Sequence, residues 1–166
     1  MPRHRWQVAE IVEHAVLYGE YDLTIDEKNR ILVPAEIRKA LEGYNDASTF
    51  FVVLGQNRRP WLYPQHAYKL LLSKQPQDLA PPLERLAFDD QHFAMASPVD
   101  CDKQGRLLLP DKLLKRTRIG REVTVTGSGT HLKIWNRADW EARVQKLLDQ
   151  MSVGESENAS GSSGRE

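Results

Sequence analysis

The chain has 166 residues, and its formal net charge of +0 comes from 23 basic and 23 acidic side chains. A hydrophobic fraction of 40% and a charged fraction of 28% are ordinary for a folded soluble protein. The one cysteine, Cys101, excludes an internal disulfide, and no apolar run approaches the ~18 residues of a membrane-spanning helix. The balanced charge counts mildly against a nucleic-acid binder, because phosphate contacts usually leave a basic footprint. We expect a cytoplasmic protein with no membrane partner.

An internal repeat follows an N-terminal extension of residues 1–16. Residues 22–41 superpose on residues 98–117 at a shift of 76 positions, and residues 51–55 superpose on 123–127 at a shift of 72. The change of shift falls in a polar stretch, where an inserted loop costs little. Each copy has only about 50 residues, which is too few to bury a good core alone. We therefore expect the copies to pack together as a pseudo-dimer or to associate between chains.

The front half of each copy predicts two short strands joined by a tight turn. In the first copy, an alternating run at 21–25 and an apolar run at 31–33 flank the turn, which is typical of a β-hairpin. An aspartate at the start of such a turn accepts hydrogen bonds from backbone amides two residues on. Asparagine and glycine adopt positive φ most readily, and they occupy the same position of the two turns. The predicted turn-forming residues are Asp26, Asn29, Asp102 and Gly105.

A short helix is predicted after the second strand of each copy. Pro34 and Pro110 stand where this helix would begin, since the first helical position needs no N–H donor. The back half of each copy then predicts a second hairpin, formed by 50–54 with 61–63 in the first copy and by 123–126 with 132–135 in the second.

A second helix is predicted at the end of each copy from apolar residues at helical spacing. In the second copy, Asn136 is a plausible cap for this helix. The two apolar stripes consist of Tyr68, Leu71 and Leu72 in the first copy and of Trp140, Val144 and Leu147 in the second.

These signals divide the chain into segments. A linker with three prolines and a short helix at 83–95 separates the copies, and a tail rich in Gly, Ser and Glu is predicted to be disordered. In chain order the segments are an extension (1–16), the first copy (17–74), the linker (75–95), the second copy (96–150) and the tail (151–166).

At this level of detail the sequence resembles a known family. LYGEYDLTIDEKNRILVPAEIR at 17–38 resembles the first half of the MraZ family of bacterial transcriptional regulators. DKQGRLLLP and the following IGREVTVTGSGTHLKIWNRADWE resemble its second half. The resemblance covers roughly 17–150, whereas a single copy of the motif is typical only of the wider AbrB/SpoVT-like superfamily.

The resemblance implies a fold and a function. The fold is α+β, with tandem swapped-hairpin β-barrel repeats, peripheral helices and a pseudo-two-fold. The function is sequence-specific binding of double-stranded DNA, as a repressor, at promoter-proximal direct repeats upstream of the protein's own operon in the cell-division and cell-wall gene cluster. The family further implies ring-shaped homo-oligomers and a cytoplasmic, nucleoid-associated location.

Two features depart from the family pattern. Many relatives have glycine where this chain has Asn29, a mild change because both residues tolerate positive φ. Relatives begin near the position of Val16, and a valine codon is a common alternative bacterial start. We therefore expect translation to begin at Val16, which would make residues 1–15 a start-site artefact.

Two arginines are the candidate DNA-reading residues. Arg30 and Arg106 each begin the strand after a turn, so the guanidinium can project from the edge of a two-stranded ribbon. Such a ribbon fits the major groove, where arginine contacts guanine O6 and N7 bidentately. Lys28 and Lys103 are better suited to phosphate, as point charges on flexible stems. The alternative is that the arginines pair with the turn aspartates and only pin the turn, and both roles can coexist.

The distribution of charge supports a nucleic-acid partner despite the neutral total. Residues 103–121 hold seven basic side chains and one acid, and residues 28–39 hold four basic side chains and one acid. Net zero therefore hides two basic segments centred on the repeats. An oligomer that presents many such segments would gain affinity for repeated DNA sites through effective concentration.

Enzymatic and metal-binding functions are not supported. The five histidines are scattered, with no cysteine or carboxylate at metal-ligand spacing. The glycine-containing stretch 127–129 lies between two strands and not before a helix, so it is not a phosphate-binding loop. We expect no catalysis, no cofactor, no metal and no small-molecule substrate.

Two alternative functions remain open. One is an AbrB-type antitoxin, which would normally have one copy of the motif and a partner-binding tail. The other is an oligomeric scaffold that keeps the fold but does not bind DNA, and a gel shift with the protein's own upstream DNA would distinguish it.

Overall fold

The computed structural model describes residues 15–44, 48–74 and 82–160, with the side chains of 155–160 outside the description. It contains eight strands and five α-helices within these ranges. In chain order they are β1 (Glu20–Thr24), β2 (Arg30–Leu32), α1 (Ala35–Leu41), β3 (Thr49–Leu54), β4 (Pro60–Pro64), α2 (Gln65–Ser73), α3 (Leu83–Asp89), β5 (Ser97–Asp100), β6 (Arg106–Leu108), α4 (Asp111–Arg116), β7 (Glu122–Gly127), β8 (Leu132–Asn136) and α5 (Arg137–Ser160). A 3-10 turn at Gln56–Arg58 and a π-helical turn at Asp90–Ala94 complete the list.

The two copies have the same order of elements, as the repeat predicts. Each copy runs strand, strand, helix, strand, strand, helix, and α3 with the π-helical turn lies between them. Pro34 and Pro110 directly precede α1 and α4, with φ of −54° and −61°, values that proline already favours. The mixed α+β class is therefore confirmed.

The strand pairing crosses between the copies. Six strands form one antiparallel sheet in the order β1-β7-β8-β4-β3-β5, and β2 pairs with β6 in a separate two-stranded ribbon. When each strand is exchanged for its counterpart in the other copy, the same order is obtained, counted from the opposite edge of the sheet. The strand topology is therefore symmetric between the two copies.

The prediction of the back hairpins is confirmed, and the prediction of the front hairpins is wrong. β3 pairs with β4 and β7 pairs with β8. In contrast, β1 pairs with β7 and β5 with β3, while the strands after the two turns, β2 and β6, pair with each other. The tight turns do form, but the strands on either side of each turn separate to pair with the other copy.

Burial explains why the front strands exchange partners. An isolated hairpin is at best marginally stable in water, because it covers little of its apolar face. Ile31 of β2 faces Leu107 of β6 across the ribbon, and these side chains are 2% and 0% exposed. Ile25, Val33 and their neighbours join the same core as Val123 and Val125 of the second copy. Neither copy has this core alone, in agreement with the expected pseudo-dimer.

A second, smaller core covers the outer face of the first copy's back hairpin. α2 packs Tyr68, and the helical part of the linker packs Phe93, against Val53 and Tyr63 of the hairpin. Leu72, predicted to belong to the α2 stripe, is instead 56% exposed. Residues 75–81 of the predicted linker lie outside the described residues.

The last helix, α5, is longer than the sequence predicts. It continues to Ser160, so the prediction of a disordered tail is wrong for residues 151–160, and residues 161–166 lie outside the described part. The side chain of Asn136, predicted to cap α5, instead accepts from the Gly120 N–H (2.7 Å) and donates to the Arg118 carbonyl (2.8 Å). None of the helices in the described ranges is both long enough and apolar enough to cross a membrane.

Candidate nucleic-acid interface

The two predicted turns have the same hydrogen-bond geometry. Asp26 Oδ1 accepts from the Lys28 and Arg30 backbone N–H groups at 2.9 Å each. Asp102 Oδ1 accepts in the same way from Gln104 and Arg106, also at 2.9 Å. Each aspartate thus holds the backbone of its turn, as the sequence predicts.

The residues with positive φ connect the turns to one another. Asn29 has φ 62° and Gly105 has φ 81°, the left-handed region that asparagine and glycine tolerate best. The Asn29 carbonyl accepts from the Leu109 N–H, and the Gly105 carbonyl accepts from the Val33 N–H, both at 2.8 Å. Each turn is therefore fixed by a backbone bond from the other copy.

The two arginines pair with the turn aspartates. Arg30 Nε donates to Asp26 Oδ2 at 2.8 Å, and Arg106 Nε donates to Asp102 Oδ2 at 2.9 Å. The arginine side chains remain 29% and 32% exposed. The turn-pinning contact of the alternative hypothesis is thus present in both copies. Because a guanidinium has five N–H donors and this contact uses one, the arginine keeps donors for a second partner.

The β2–β6 ribbon brings both arginines to one face. Successive side chains of a strand point to opposite faces. Ile31 and Leu107 point into the core, so the residues directly before and after each of them point outward. Arg30 faces Leu108 across the strands and Arg106 faces Leu32, which places the arginines on a diagonal of the ribbon. Diagonal neighbours in an antiparallel pair lie about 7–8 Å apart.

The predicted lysines lie in the turns but are not equivalent. Lys28 and Lys103 are both exposed. The residue that matches Lys28 in the second turn is Gln104, and the residue that matches Lys103 in the first turn is Glu27. The two turns therefore share their aspartates and arginines and differ in the charges between them.

Two further arginines lie at the turns and were not singled out in the sequence. An Arg121 Nη1–H donates to the Asp26 carbonyl. Arg38 of α1 lies over the second turn, where a Cβ added to Gly105 would come within 2.7 Å of its guanidinium carbon. These arginines have no common position in the repeat, since one precedes β7 and the other is in α1. The count of basic residues was the only signal for them.

The environment of the turn aspartates favours their charged form. The pKa of Asp26 lies below its ordinary value of 3.8, chiefly because the Arg30 backbone N–H donates to the carboxylate, with the Arg30 side chain adding to the effect. Bonds from Arg106 lower the pKa of Asp102 in the same order of causes. The arginines are thus held by carboxylates that remain charged at neutral pH.

Two of the histidines, His92 and His131, pack against aromatic rings. His131 stacks on Tyr63 with ring centroids 4.4 Å apart, and burial, followed by the charges of Lys133 and His92, lowers its pKa to about 4. His92 is 5% exposed and stacks on Phe88. Among the described residues, no group of three His, Cys, Asp or Glu side chains is placed to hold a metal ion.

A second surface of interest is a groove of about 650 Å³ beside α5. Arg59 lies 4.0 Å above the Trp135 ring, and Lys133 lies 4.7 Å from the Trp61 ring. Along the edge of the groove, α5 exposes a stripe of apolar side chains. The stripe consists of Leu147, Leu148 and Met151, which lie on one face of the helix.

Comparison with known proteins identifies the family that carries these turns. The family model described as an "MraZ protein" and as "antitoxin-like" matches residues 16–89 and 92–160, one stretch for each copy. The chain belongs to the MraZ family. The resemblance drawn from the motifs is therefore confirmed.

Individual MraZ relatives cover most of the chain. A protein named transcriptional regulator MraZ from Clostridium tetani is 29% identical over 137 residues, which cover 82% of this chain and 93% of the relative. Relatives of the same name from Moorella thermoacetica and Desulforamulus reducens are 32% and 33% identical, covering 80% and 81% of this chain and 89% and 93% of the relatives. These are names of transcription regulators and not of enzymes, as expected for this chain.

Proposed function

We propose that this protein is a transcription regulator that binds double-stranded DNA sequence-specifically through the β2–β6 ribbon. The observation that carries the proposal is the duplicated Asp–Arg turn, which aligns Arg30 and Arg106 on one exposed face. The names of the MraZ relatives support the regulatory role.

The chemistry of the ribbon fits the major groove. A two-stranded ribbon is narrow enough to enter it, and arginine is the side chain that most often contacts guanine O6 and N7. The Asp–Arg pairs orient the guanidinium groups before DNA arrives, which reduces the entropy lost on binding. Lys28 and Lys103 contact the flanking phosphates, and Arg38 and Arg121 add positive charge to the turns.

We further propose how the protein assembles and which DNA it binds. The copies form a swapped-hairpin barrel, and several chains assemble into a ring that binds direct repeats upstream of the protein's own operon in the cell-division and cell-wall cluster, as a repressor. A neutral chain with one short ribbon binds a single site weakly, so multivalency supplies the affinity. The apolar stripe of α5 and the adjacent groove support a contact with a second copy.

A gel shift with the DNA upstream of the gene tests the proposal. The wild-type protein is expected to bind the native fragment at least about tenfold more tightly than a fragment with scrambled repeats. Its affinity should fall steeply as the salt concentration rises. Native mass spectrometry of the same samples measures the assembly. Equal affinity for the two fragments, or no shift, would favour the scaffold alternative.

A further inference from the structure

The outward face of the β2–β6 ribbon breaks the usual alternation of a half-buried strand. Residues that point away from the core are normally polar, as Arg30 and Arg106 are. The next outward residues are Leu32 and Leu108, which are 44% and 57% exposed. The exception occurs at matching positions of both copies, so it is a property of the repeated unit and not of one strand.

The register places these leucines beside the arginines. Leu32 faces Arg106, and Leu108 faces Arg30, in an antiparallel ribbon of only three residues per strand. The exposed face therefore consists of two guanidinium groups on one diagonal and two apolar side chains on the other.

The surroundings of the leucines favour DNA over a protein as their partner. A stable protein interface buries about 800 Å² on each side, which is several times what two half-exposed leucines provide. The arginines beside them are suited to guanine, and a major groove presents one apolar group, the C5-methyl of thymine. Each arginine lies directly opposite a leucine, and the Cβ atoms of opposite residues are about 4.5–5.5 Å apart. This distance lies between one and two steps of the roughly 3.4 Å base spacing, so an arginine and the leucine opposite it can reach neighbouring bases.

We propose that Leu32 and Leu108 are specificity-determining residues that contact thymine methyl groups next to the guanines bound by the two arginines. This inference rests on the proposed function and adds a base identity that the arginines cannot read. Arginine selects guanine by hydrogen bonds, while a leucine selects thymine over cytosine by burying its methyl group.

Deoxyuridine isolates this contact, because it differs from thymidine only by the absent methyl. The upstream fragment is amplified with dTTP or with dUTP, and the dissociation constant of each product is measured by fluorescence anisotropy. We expect the wild-type protein to bind the thymine fragment about fourfold more tightly for each methyl group contacted. The variant Leu32→Ala/Leu108→Ala is expected to bind both fragments with nearly equal affinity.

Leu72→Ala serves as a matched control, since Leu72 is an equally exposed leucine on α2. It should keep the wild-type preference for thymine. Equal binding of both fragments by the wild-type protein overturns this inference and leaves the proposed function intact, whereas no binding of either fragment overturns both. A thymine preference that persists in the double leucine variant would also overturn the inference. So would a change in the number of subunits of that variant, because the leucines would then lie at a subunit contact.

Discussion

The shared core makes a prediction about Leu107→Ala. Leu107 lies in the second copy, is 0% exposed and packs across the ribbon against Ile31 of the first copy. Removing a fully buried leucine side chain typically costs 2–5 kcal/mol, and we expect about 3 kcal/mol of the free energy of unfolding to be lost. Because both copies contribute to this core, the loss should affect them equally.

Urea denaturation at fixed protein concentration measures the total loss, and amide hydrogen exchange divides it between the copies. In Leu107→Ala, the amides of β3 in the first copy and β7 in the second should lose protection by the same factor. The neighbouring Leu108→Ala is the control, expected to cost less than about 1 kcal/mol because Leu108 is already 57% exposed. If β7 exchanges faster while β3 keeps its wild-type protection, the copies fold independently and the reasoning is refuted.

Three further predictions follow from the turns and the histidines. Gly105→Ala should lower the urea midpoint more than Gly129→Ala. Both glycines have positive φ, but only a Cβ at position 105 would collide with the Arg38 side chain. If both variants lose the same free energy of unfolding, about 1–2 kcal/mol, backbone strain alone explains the effect. Asp102→Asn keeps the Oδ1 atom that accepts from the Arg106 backbone N–H but removes the Oδ2 atom that accepts from the Arg106 side chain. The fold should therefore persist, while the affinity for the upstream DNA falls roughly twofold to tenfold. An unchanged affinity would show that the Asp102–Arg106 contact does not orient the arginine. The neutral form of His131 stabilises the fold fully above the ordinary histidine pKa of 6.5, and this contribution is lost as the pH falls toward about 4. The melting temperature of His131→Phe should therefore depend less on pH over this range than that of the wild-type protein. The same pH dependence in both proteins would contradict the lowered pKa of His131.

Much of the local structure could be predicted because each copy repeats the same local signals. The aspartate, the asparagine or glycine, and the proline each impose one backbone geometry, and the structure has all three in both copies. The back hairpins were equally predictable, because their strands are adjacent in sequence and have matching apolar patterns.

The exchange of the front strands could not be predicted in the same way. The alternation of apolar and polar residues around 21–25 and 31–33 is compatible with pairing to any antiparallel strand. The pattern therefore identifies the strands but not their partners. The choice depends on burial across the whole molecule, where Ile31 meets Leu107. Arg38 and Arg121 were missed for a related reason, since they come from different elements and meet the turns only after folding.

Arg30 and Arg106 are proposed to recognise bases and not merely to attract phosphate. The most direct measurement is the ratio of affinities for the native and scrambled upstream fragments, compared between the wild-type protein and Arg30→Lys/Arg106→Lys. Lysine keeps the charge but lacks the rigid planar fork with which arginine presents two N–H donors to guanine O6 and N7. We predict that the double variant keeps the wild-type number of subunits and still binds DNA in a salt-dependent way. Its ratio of affinities for the native and scrambled fragments should fall to near one. A ratio equal to that of the wild-type protein would contradict the claim.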